Sequence, residues 1–506
     1  MRISILAAAA LLGACGAPRS APAPEAPPRR VPPSGPALDV PRGGDRISRM
    51  LAAGSAIAPV AADMETIFDD IGPRLAGSPE MERATLWGVQ AFRGMRTDSA
   101  WREPFDFGVG WQRGPISVTM LQPQHRELLA ASWAWAPGTN GNATGNVVYV
   151  DARTEADFNA RFARKLRGAW VMLSPAAQLP NPDADQTSAA GSARLDSIRT
   201  AQAPHTDQER AFTAAMKQEL AIRAGAAGII RDGAKDFGLF TMSGSPSGIL
   251  PIPEIVIGNE NYSQFERLLT SGHPVRLQVN VRNSFTRQPV TQYNTVAEIR
   301  GTTHPEQVVL LGAHFDSWDL ATGATDNGAG SVAVLDAARI LMQAGARPAR
   351  TIRFVLFGAE EEGLFGSQAY AATHKSELAN FQAVLVLDNG TGRITGMALQ
   401  DRDELRDMWQ NMFTPLASIG PLAVRSGKKG GTDHLSFEVY GVPSFNYDQL
   451  TRGYNHTHHS QVDDLNHAIP EDIAQAATVM AINAWQLANQ PELLPRGKGC
   501  KDWRSC

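Results

Sequence analysis

The sequence predicts an α/β fold in which a mostly parallel sheet is flanked by helices and interrupted by an inserted β-rich domain. From Val296 onward, apolar strand-like runs alternate with helical patterns, which is typical of a parallel sheet covered by helices. Between about Leu121 and Phe285 the pattern changes to short β-branched runs separated by polar loops. A chain of 506 residues is also too long for one ordinary domain, so about two to four units are expected.

The overall composition describes an ordinary globular protein. The hydrophobic fraction is 43% and the formal net charge is -4, so the chain has no basic surplus with which to neutralise phosphates. Nucleic acid is therefore not expected as a partner. Composition leaves the oligomeric state open.

The N-terminus has the pattern of an export signal. Arg2 supplies a positive charge, Ile3 to Leu12 an apolar stretch, and Leu12-Gly13-Ala14-Cys15 a small-residue cleavage site that ends in cysteine. This site resembles a bacterial lipobox, which implies a signal peptide over residues 1–15 and a lipid on Cys15. We expect a lipoprotein anchored to a membrane and facing the periplasm or cell exterior. A plain secretory signal is the alternative, and it would also export the chain.

The segments at the two ends of the exported chain are assigned outside its two predicted domains. Residues 16–46 are dense in Pro, Ala and Arg and are typical of an extended tether. Folded structure is expected from Ile47, and Ser78-Pro79 marks the start of an amphipathic helix. Residues 493–506 form a tail in which Cys500 and Cys506 are candidates for a disulfide, with two free thiols as the alternative.

The β-rich block is predicted to be an inserted domain over residues 121–285. It contains no cluster of His, Asp or Glu with chemical character. Its segments Gly-Ala-Ala-Gly-Ile-Ile at 225–230 and Ile-Pro-Glu-Ile-Val-Ile at 252–257 resemble the protease-associated domain. The remaining segments, 47–120 and 286–492, are predicted to form one discontinuous domain that carries the chemistry.

Candidate functional residues follow apolar strands of that domain. His314 follows the run 310–313, Glu360-Glu361 follows 354–357, and Asp388 follows 384–387. The carboxyl ends of parallel strands meet at one edge of a sheet, where ligands bind. Asp326 lies in the loop after the first of these strands, and His459 lies in a loop near the C-terminus. The pattern predicts one site that contains both histidines and the carboxylates.

Two histidines and several carboxylates are a suitable ligand set for two zinc ions with a position left for water. Two metals that share a hydroxide can supply the nucleophile and polarise a scissile carbonyl. Such chemistry also needs a proton carrier. The adjacent pair Glu360-Glu361 can supply both a ligand and that carrier.

Five ordered motifs, together with the N-terminal Gly-Pro-Arg-Leu-Ala-Gly-Ser segment, resemble the M28 family of two-zinc aminopeptidases. The resemblance implies the zinc exopeptidase fold and a zinc-dependent exopeptidase that acts at the N-terminus of peptides or on dipeptides. The motifs are Gly312-Ala313-His314-Phe315-Asp316-Ser317, Gly323-Ala324-Thr325-Asp326-Asn327-Gly328-Ala329-Gly330, Gly358-Ala359-Glu360-Glu361-Glu362-Gly363-Leu364-Phe365-Gly366-Ser367, Gly431-Thr432-Asp433-His434 and His459-Ser460-Gln461-Val462-Asp463.

The resemblance also implies a role for each matching residue. His314 and Glu361 would belong to separate zinc ions that Asp326 bridges. Glu360 would be the general base. The remaining ligands would be Asp388 and His459, and the orienting carboxylates Asp316 for a ligand imidazole and Asp463 for the His459 loop.

Motif spacing is similar to the carboxypeptidase Q branch of the family, whose members act on dipeptides. Asp326 lies twelve residues after His314, and His458 to Asp463 match the branch motif His-His-Ser-x-x-Asp. Many M28 enzymes have a tyrosine directly before the ligand histidine, whereas this chain has His458. The oxyanion stabiliser is therefore expected to be His458 or Tyr447.

Other functions stay open at this point. A carboxypeptidase would need a basic clamp, for which Arg425, Lys428 and Lys429 are candidates. Glutaminyl cyclase-like acyl transfer at one zinc, or a non-catalytic binding ectodomain, would use the same fold with fewer metals. Within Asn455-His456-Thr457-His458-His459 any of three imidazoles can reach a metal, and only the following Ser-x-x-Asp selects His459.

Overall fold

The computed structural model describes residues 45–179, 203–204 and 206–506. The predicted signal peptide, Cys15 and nearly all of the predicted tether lie outside the described residues. Within the described ranges, no single helix is both long and apolar enough to cross a membrane. One bent pair, Arg46–Gly54 with Ile57–Ile71, meets the length and composition criteria only when its two members are joined.

The strands belong to two separate sheets. In chain order the first eight are β1 (Ser99–Gln112), β2 (Ile116–Gln122), β3 (Arg126–Leu128), β4 (Ala130–Ser132), β5 (Ala143–Tyr149), β6 (Trp170–Met172), β7 (Gly228–Asp232) and β8 (Glu254–Ile257). The others are β9 (Arg276–Val281), β10 (Ser284–Ile299), β11 (His304–His314), β12 (Arg350–Phe357), β13 (Phe381–Val386), β14 (Ile394–Ala398), β15 (Ala423–Arg425) and β16 (Ser444–Gln449).

The first sheet has eight strands in the order β1-β10-β12-β11-β13-β16-β14-β15. Its four central strands, β12, β11, β13 and β16, are mutually parallel, while β1, β10 and β14 join antiparallel at the sides. β13 and the C-terminal parts of β11 and β12 are buried, largely apolar runs, because a parallel sheet is buried on both faces. The predicted α/β class with a mostly parallel sheet flanked by helices is confirmed.

Helices cover both faces of this sheet. On one face Ala329–Gln343 and Pro470–Ala488 pack together and against Arg46–Gly54, and nearly every residue of the first two is buried. Such all-round burial explains their apolar sequences. The longer helices of the described chain are Arg46–Gly54, Ile57–Met64, Pro79–Gly94, Ala214–Arg223, Asn259–Thr270, Ala329–Gln343, Phe365–Thr373, Arg406–Phe413 and Pro470–Ala488. The shorter ones are Glu155–Arg161, Asp207–Ala211, Leu435–Glu438 and Tyr454–Thr457.

The second sheet has the order β3-β2-β9-β5-β6-β7-β8-β4. All its strands lie between Ile116 and Val281, and they enclose a core of their own that includes Trp170, Tyr262 and Phe265. We refer to residues 116–281 as the second-sheet unit. Its identity as a protease-associated domain, with boundaries at 121 and 285, stays a prediction.

The structure agrees with two local predictions, the helix start at Ser78 and the disulfide in the C-terminal tail. Ser78 caps the helix Pro79–Gly94, since its side chain accepts a hydrogen bond from the Met81 backbone N–H. In the tail, Cys500 and Cys506 form a disulfide with Cα atoms 5.3 Å apart.

Candidate metal centre

The sheet brings the predicted residues together at one edge. His314 is the last residue of β11, Glu360 and Glu361 follow the end of β12, and Asp388 follows the end of β13. These three strands are adjacent and parallel, so their carboxyl ends lie side by side. Asp326 reaches the same edge from the loop before helix Ala329–Gln343. The described fold therefore assembles the site that the strand-end pattern predicts.

A first cluster of three ligand atoms surrounds the His314 imidazole. His314 Nε2 lies 3.4 Å from Asp326 Oδ1 and 3.5 Å from Asp388 Oδ1. Ligand atoms around a tetrahedral zinc, with bonds of about 2.0–2.1 Å, are separated by about 3.3 Å. All three side chains are buried, so this cluster has the spacing and the donor set of a zinc site.

A second cluster contains the His459 imidazole. His459 Nε2 lies 3.4 Å from Asp326 Oδ2 and 3.0 Å from Glu361 Oε2. Asp326 thus presents one carboxylate oxygen to each histidine, which is the geometry of a carboxylate that bridges two ions. Glu361 belongs to the second cluster only, whereas Asp388 belongs to the first.

The oxygens of this centre fit a cation. Asp326 Oδ2 and Glu361 Oε1 are buried and receive no hydrogen bond from the described residues. Burial, followed by the charge of Asp326, raises the pKa of Glu361 well above its ordinary value. A buried carboxylate is costly unless it is paired or coordinates a metal. The donor types, spacings and unsatisfied oxygens all suit zinc.

His456, His458 and His459 differ in their distance from the carboxylates of the centre. His459 lies closest to the carboxylates, while His458 Nε2 is 3.8 Å from Asp326 Oδ2 and its side chain is 42% exposed. The His458 ring stacks on the His459 ring with centroids 3.7 Å apart. His456 is exposed on the short helix Tyr454–Thr457. His459 is therefore the better-placed ligand, and His458 lies beside it in a group of potential ligand atoms that also includes Asp326.

Asp316 orients the centre differently from the prediction. His314 Nδ1 lies 3.1 Å from the backbone carbonyl of Asp316 but 3.7 Å from its carboxylate. The two carboxylate oxygens instead accept the backbone N–H groups of Glu360 and Glu361, each at 3.1 Å. The expected orientation of the imidazole is thus made by the backbone, because the side chain is used to hold the Glu360-Glu361 pair.

Asp463 is predicted to orient the His459 loop, but in the structure its side chain contacts the loop that carries Asp326. Its carboxylate accepts hydrogen bonds from the backbone N–H groups of Thr325 at 2.7 Å and Asp326 at 3.0 Å. It therefore fixes the Asp326 loop. The His459 ring is held from the second-sheet unit, where the Met242 carbonyl lies 2.9 Å from His459 Nδ1. That contact keeps Nε2 directed at the cluster, and no motif marked Met242 in the sequence.

Arg74 is a buried cation from the segment Gly-Pro-Arg-Leu-Ala-Gly-Ser, and the sequence motifs alone assign it no role. Its guanidinium donates to the carbonyls of Phe315 at 2.6 Å, Thr322 at 2.7 Å and Gly323 at 2.8 Å. Burial lowers the pKa of Arg74 to about 10, a value at which the guanidinium stays charged at neutral pH. Arg74 thus ties both ends of the loop between His314 and Asp326 and adds positive charge beside an acidic site. Its place in the segment Gly-Pro-Arg-Leu-Ala-Gly-Ser is the sequence feature that could have identified Arg74 as a residue of the site.

The two candidate oxyanion stabilisers differ in position. The Tyr447 hydroxyl accepts a hydrogen bond from Asn483 Nδ2 at 3.0 Å inside the hydrophobic core, so it does not face the cluster. This geometry contradicts the role predicted for Tyr447, because the phenol points to the helix side of its strand. His458 remains beside the site. Tyr454, which the sequence did not single out, packs against His458 with ring centroids 5.0 Å apart, and burial and Asp326 raise the pKa of its phenol.

The predicted basic clamp is neutralised by acids. Arg425 makes a two-pronged ion pair with Asp448, at 2.7 and 2.8 Å, and Lys429 Nζ lies 3.1 Å from the same carboxylate. Lys428 donates to the carbonyl of Cys506 in the tail. These three side chains are therefore engaged in contacts within the fold.

Comparisons with known proteins agree with the fold. Residues 294–484 match the family model described as Peptidase family M28. Carboxypeptidase Q of Mus musculus is 27% identical over 436 residues, which cover 85% of this chain and 86% of the mouse protein. The crystal structure of a peptidase M28 precursor from Shewanella amazonensis SB2B superposes with a TM-score of 0.72 at 28% identity, covering 89% of this chain and 98% of that one. A zinc aminopeptidase from Bacillus subtilis shares the fold, with a TM-score of 0.62 at 20% identity over 87% of this chain and 97% of that structure.

Proposed function

Because the chain belongs to peptidase family M28 and is a metallopeptidase, we propose that it is a zinc-dependent exopeptidase acting at the N-terminus of peptides or on dipeptides. One observation carries this proposal. Asp326 offers one oxygen to the His314 cluster at 3.4 Å and the other to the His459 cluster at 3.4 Å. This arrangement supports a centre for two zinc ions, in which each ion takes one histidine, a shared carboxylate and one further carboxylate.

The residues of the centre have separate tasks in the proposed mechanism. His314, Asp326 and Asp388 would hold one zinc, and His459, Asp326 and Glu361 the other. Zinc, when bound, lowers the pKa of water and polarises a carbonyl group. These tasks leave Glu360 as the one member of the acidic pair without a ligand role.

Glu360 is the proposed general base. Its backbone N–H is held by Asp316, and burial raises the pKa of its carboxyl well above the ordinary value. A carboxylate with raised pKa accepts a proton from attacking water and returns it to the leaving amine near neutral pH. Asp316 fixes the backbone of both Glu360 and Glu361, so base and ligand keep a constant relative position.

The number of metals separates this proposal from the other functions open to the fold. Two zinc ions per chain are expected for the exopeptidase, one for a glutaminyl cyclase-like enzyme and none for a non-catalytic ectodomain. The measurement is elemental analysis of purified full-length protein after dialysis against zinc and then against buffer without metal. One ion or none would contradict the two-metal centre.

The charges of the site favour recognition of a free α-amino group. Carboxylates line the centre, and the predicted clamp residues Arg425 and Lys429 are paired with Asp448. A cationic amine is stabilised beside such acids. We therefore expect N-acetylation of a tripeptide to lower kcat/KM by about 10-fold to 100-fold, as loss of a charged hydrogen bond implies. The comparison is made by chromatography of products from free, N-acetylated and C-amidated forms. Equal rates for free and acetylated forms would instead indicate a carboxypeptidase.

We further propose that the protein is exported and anchored through a lipid on Cys15, and that residues 121–285 form an inserted protease-associated domain. The anchoring proposal is tested by replacing Cys15 with Ser in the native host. The wild type is expected in the membrane fraction and Cys15→Ser in the soluble fraction, because one lipidated residue supplies the attachment. Wild-type protein found wholly in the soluble fraction would contradict the lipid anchor but not export.

A further inference from the structure

One loop of the second-sheet unit lies against the loop that carries His459. The Gln461 side chain accepts the Phe240 backbone N–H at 2.9 Å and donates to the Gly238 carbonyl at 3.0 Å. Close to these contacts, the Lys235 ammonium donates to the carbonyl of Asn455. Lys235 thus lies against the loop that carries His458 and His459, and its charge interacts with Asp326 and His458.

The ammonium of Lys235 has no acidic partner of its own in the part of the chain that the structure describes. Its electrostatic interaction is with Asp326, while burial lowers the pKa of its amine. Other cations around the site are already engaged: Arg113 pairs with Asp319 at 2.7 Å, and Lys429 pairs with Asp448 at 3.1 Å. Lys235 therefore differs from Arg113 and Lys429 in that its ammonium donates to a carbonyl group and not to a carboxylate.

Zinc binding would increase this imbalance of charge. In the proposed centre Asp326 is shared by two divalent ions. Their positive charge would neutralise the Asp326 carboxylate, which would then no longer offset the ammonium of Lys235. A partly buried cation without a counter-ion favours an anion next to it. The position of Lys235 beside the His458-His459 loop places that anion close to where a substrate lies.

We propose that Lys235 binds the C-terminal carboxylate of a substrate whose scissile bond lies one residue before that carboxylate. The inference rests on the proposed exopeptidase function and names the group that recognises the far end of the substrate. One extended residue spans about 3.5 Å, so the carboxylate of a dipeptide stays near the metals whereas that of a longer peptide does not. With the amine on the acidic side and the carboxylate on Lys235, the site complements a zwitterionic dipeptide.

The experiment combines a variant that lacks the Lys235 ammonium with a substrate that lacks the C-terminal carboxylate. Lys235→Met keeps the length and apolar stem of the side chain and removes its charge. For Ala-Leu, KM is expected to rise about 10-fold to 100-fold, the effect of losing a charged hydrogen bond. For Ala-Leu amide, which has no carboxylate, kcat/KM is expected to change less than about 2-fold by the same reasoning. Lys235→Arg is expected to restore most of the preference for the acid.

Lys217→Met is the matched control. Lys217 also lies in the second-sheet unit, is partly buried, and has its amine near the carbonyls of Val150 and Leu173 at 3.5 and 3.3 Å. This variant is expected to leave the ratio of acid to amide rates unchanged. An equal loss for acid and amide in Lys235→Met, or no loss for either, would overturn the role of Lys235.

A binding measurement separates this inference from the proposed function. In zinc-loaded Glu360→Gln protein, calorimetry is expected to show that Ala-Leu binds more tightly than its amide, and that adding Lys235→Met removes the difference. Preferential binding without wild-type hydrolysis would overturn the proposed function while supporting Lys235. Hydrolysis without any preference for the acid, in rate or in binding, would overturn Lys235 and leave the proposed function standing.

Discussion

Glu360→Gln is expected to lower kcat by about 100-fold to 10,000-fold, the range for loss of a general base, while the protein keeps its full metal content. The amide preserves the shape of the side chain but cannot carry a proton at neutral pH. Glu360 is also not among the residues proposed to hold either ion, so its replacement removes no proposed ligand. The measurement is steady-state kinetics on a free dipeptide, with zinc determined in the same samples.

Glu361→Gln provides the matched comparison, since it changes the neighbouring residue in the same way. Its carboxylate lies 3.0 Å from His459 Nε2, so this variant is expected to lose metal as well as rate. Near-normal turnover in Glu360→Gln, or unchanged zinc in Glu361→Gln, would show that base and ligand are assigned to the wrong members of the pair.

Asp326→Asn is expected to have the largest effect on metal binding. An amide offers one oxygen where the carboxylate offers two, and here the two oxygens serve different histidines. Zinc content is expected to fall from two ions to one or fewer per chain. The affinity of the remaining site is expected to fall by more than the roughly 10-fold to 100-fold typical of residues that only orient a ligand. Competition with a coloured chelator measures both quantities.

Asp319→Asn is the control for Asp326→Asn. Asp319 lies in the same loop, but its carboxylate pairs with Arg113 at 2.7 Å and is absent from both clusters. This variant is expected to keep two zinc ions. If Asp326→Asn also retained both ions at wild-type affinity, Asp326 would not be the bridging ligand.

Several features of the fold could be predicted because they are local. The helix Pro79–Gly94 begins after a serine cap, and Pro470–Ala488 begins with a proline in its first turn. The strand ends near His314, Glu361 and Asp388 could be predicted because an apolar run ends shortly before each of these residues. Parallel pairing then places such ends on one edge of the sheet without further information.

Contacts that depend on distant segments could not be predicted from motifs. Asp463 was expected to support the His459 loop, but it binds the backbone of Asp326, 137 residues earlier in the chain. Tyr447 is one of the two oxyanion candidates, with His458, yet its hydroxyl accepts a hydrogen bond from Asn483 within the hydrophobic core. In a strand the side chain alternates between faces, so one position decides whether a tyrosine enters the site or the core.

The fold class, the order of the main elements and the residue types of the candidate metal centre could be predicted, since periodicity and short motifs encode these locally. Tertiary packing, in contrast, sets which oxygen of Asp326 lies near which histidine and places the Met242 carbonyl against the His459 ring. It also decided that Lys235 reaches the centre from another unit, with its amine against the Asn455 carbonyl 220 residues away. The physical reason is that hydrogen-bond partners at such separations are chosen by the packing of whole elements, on which the neighbouring residues in the chain carry no information.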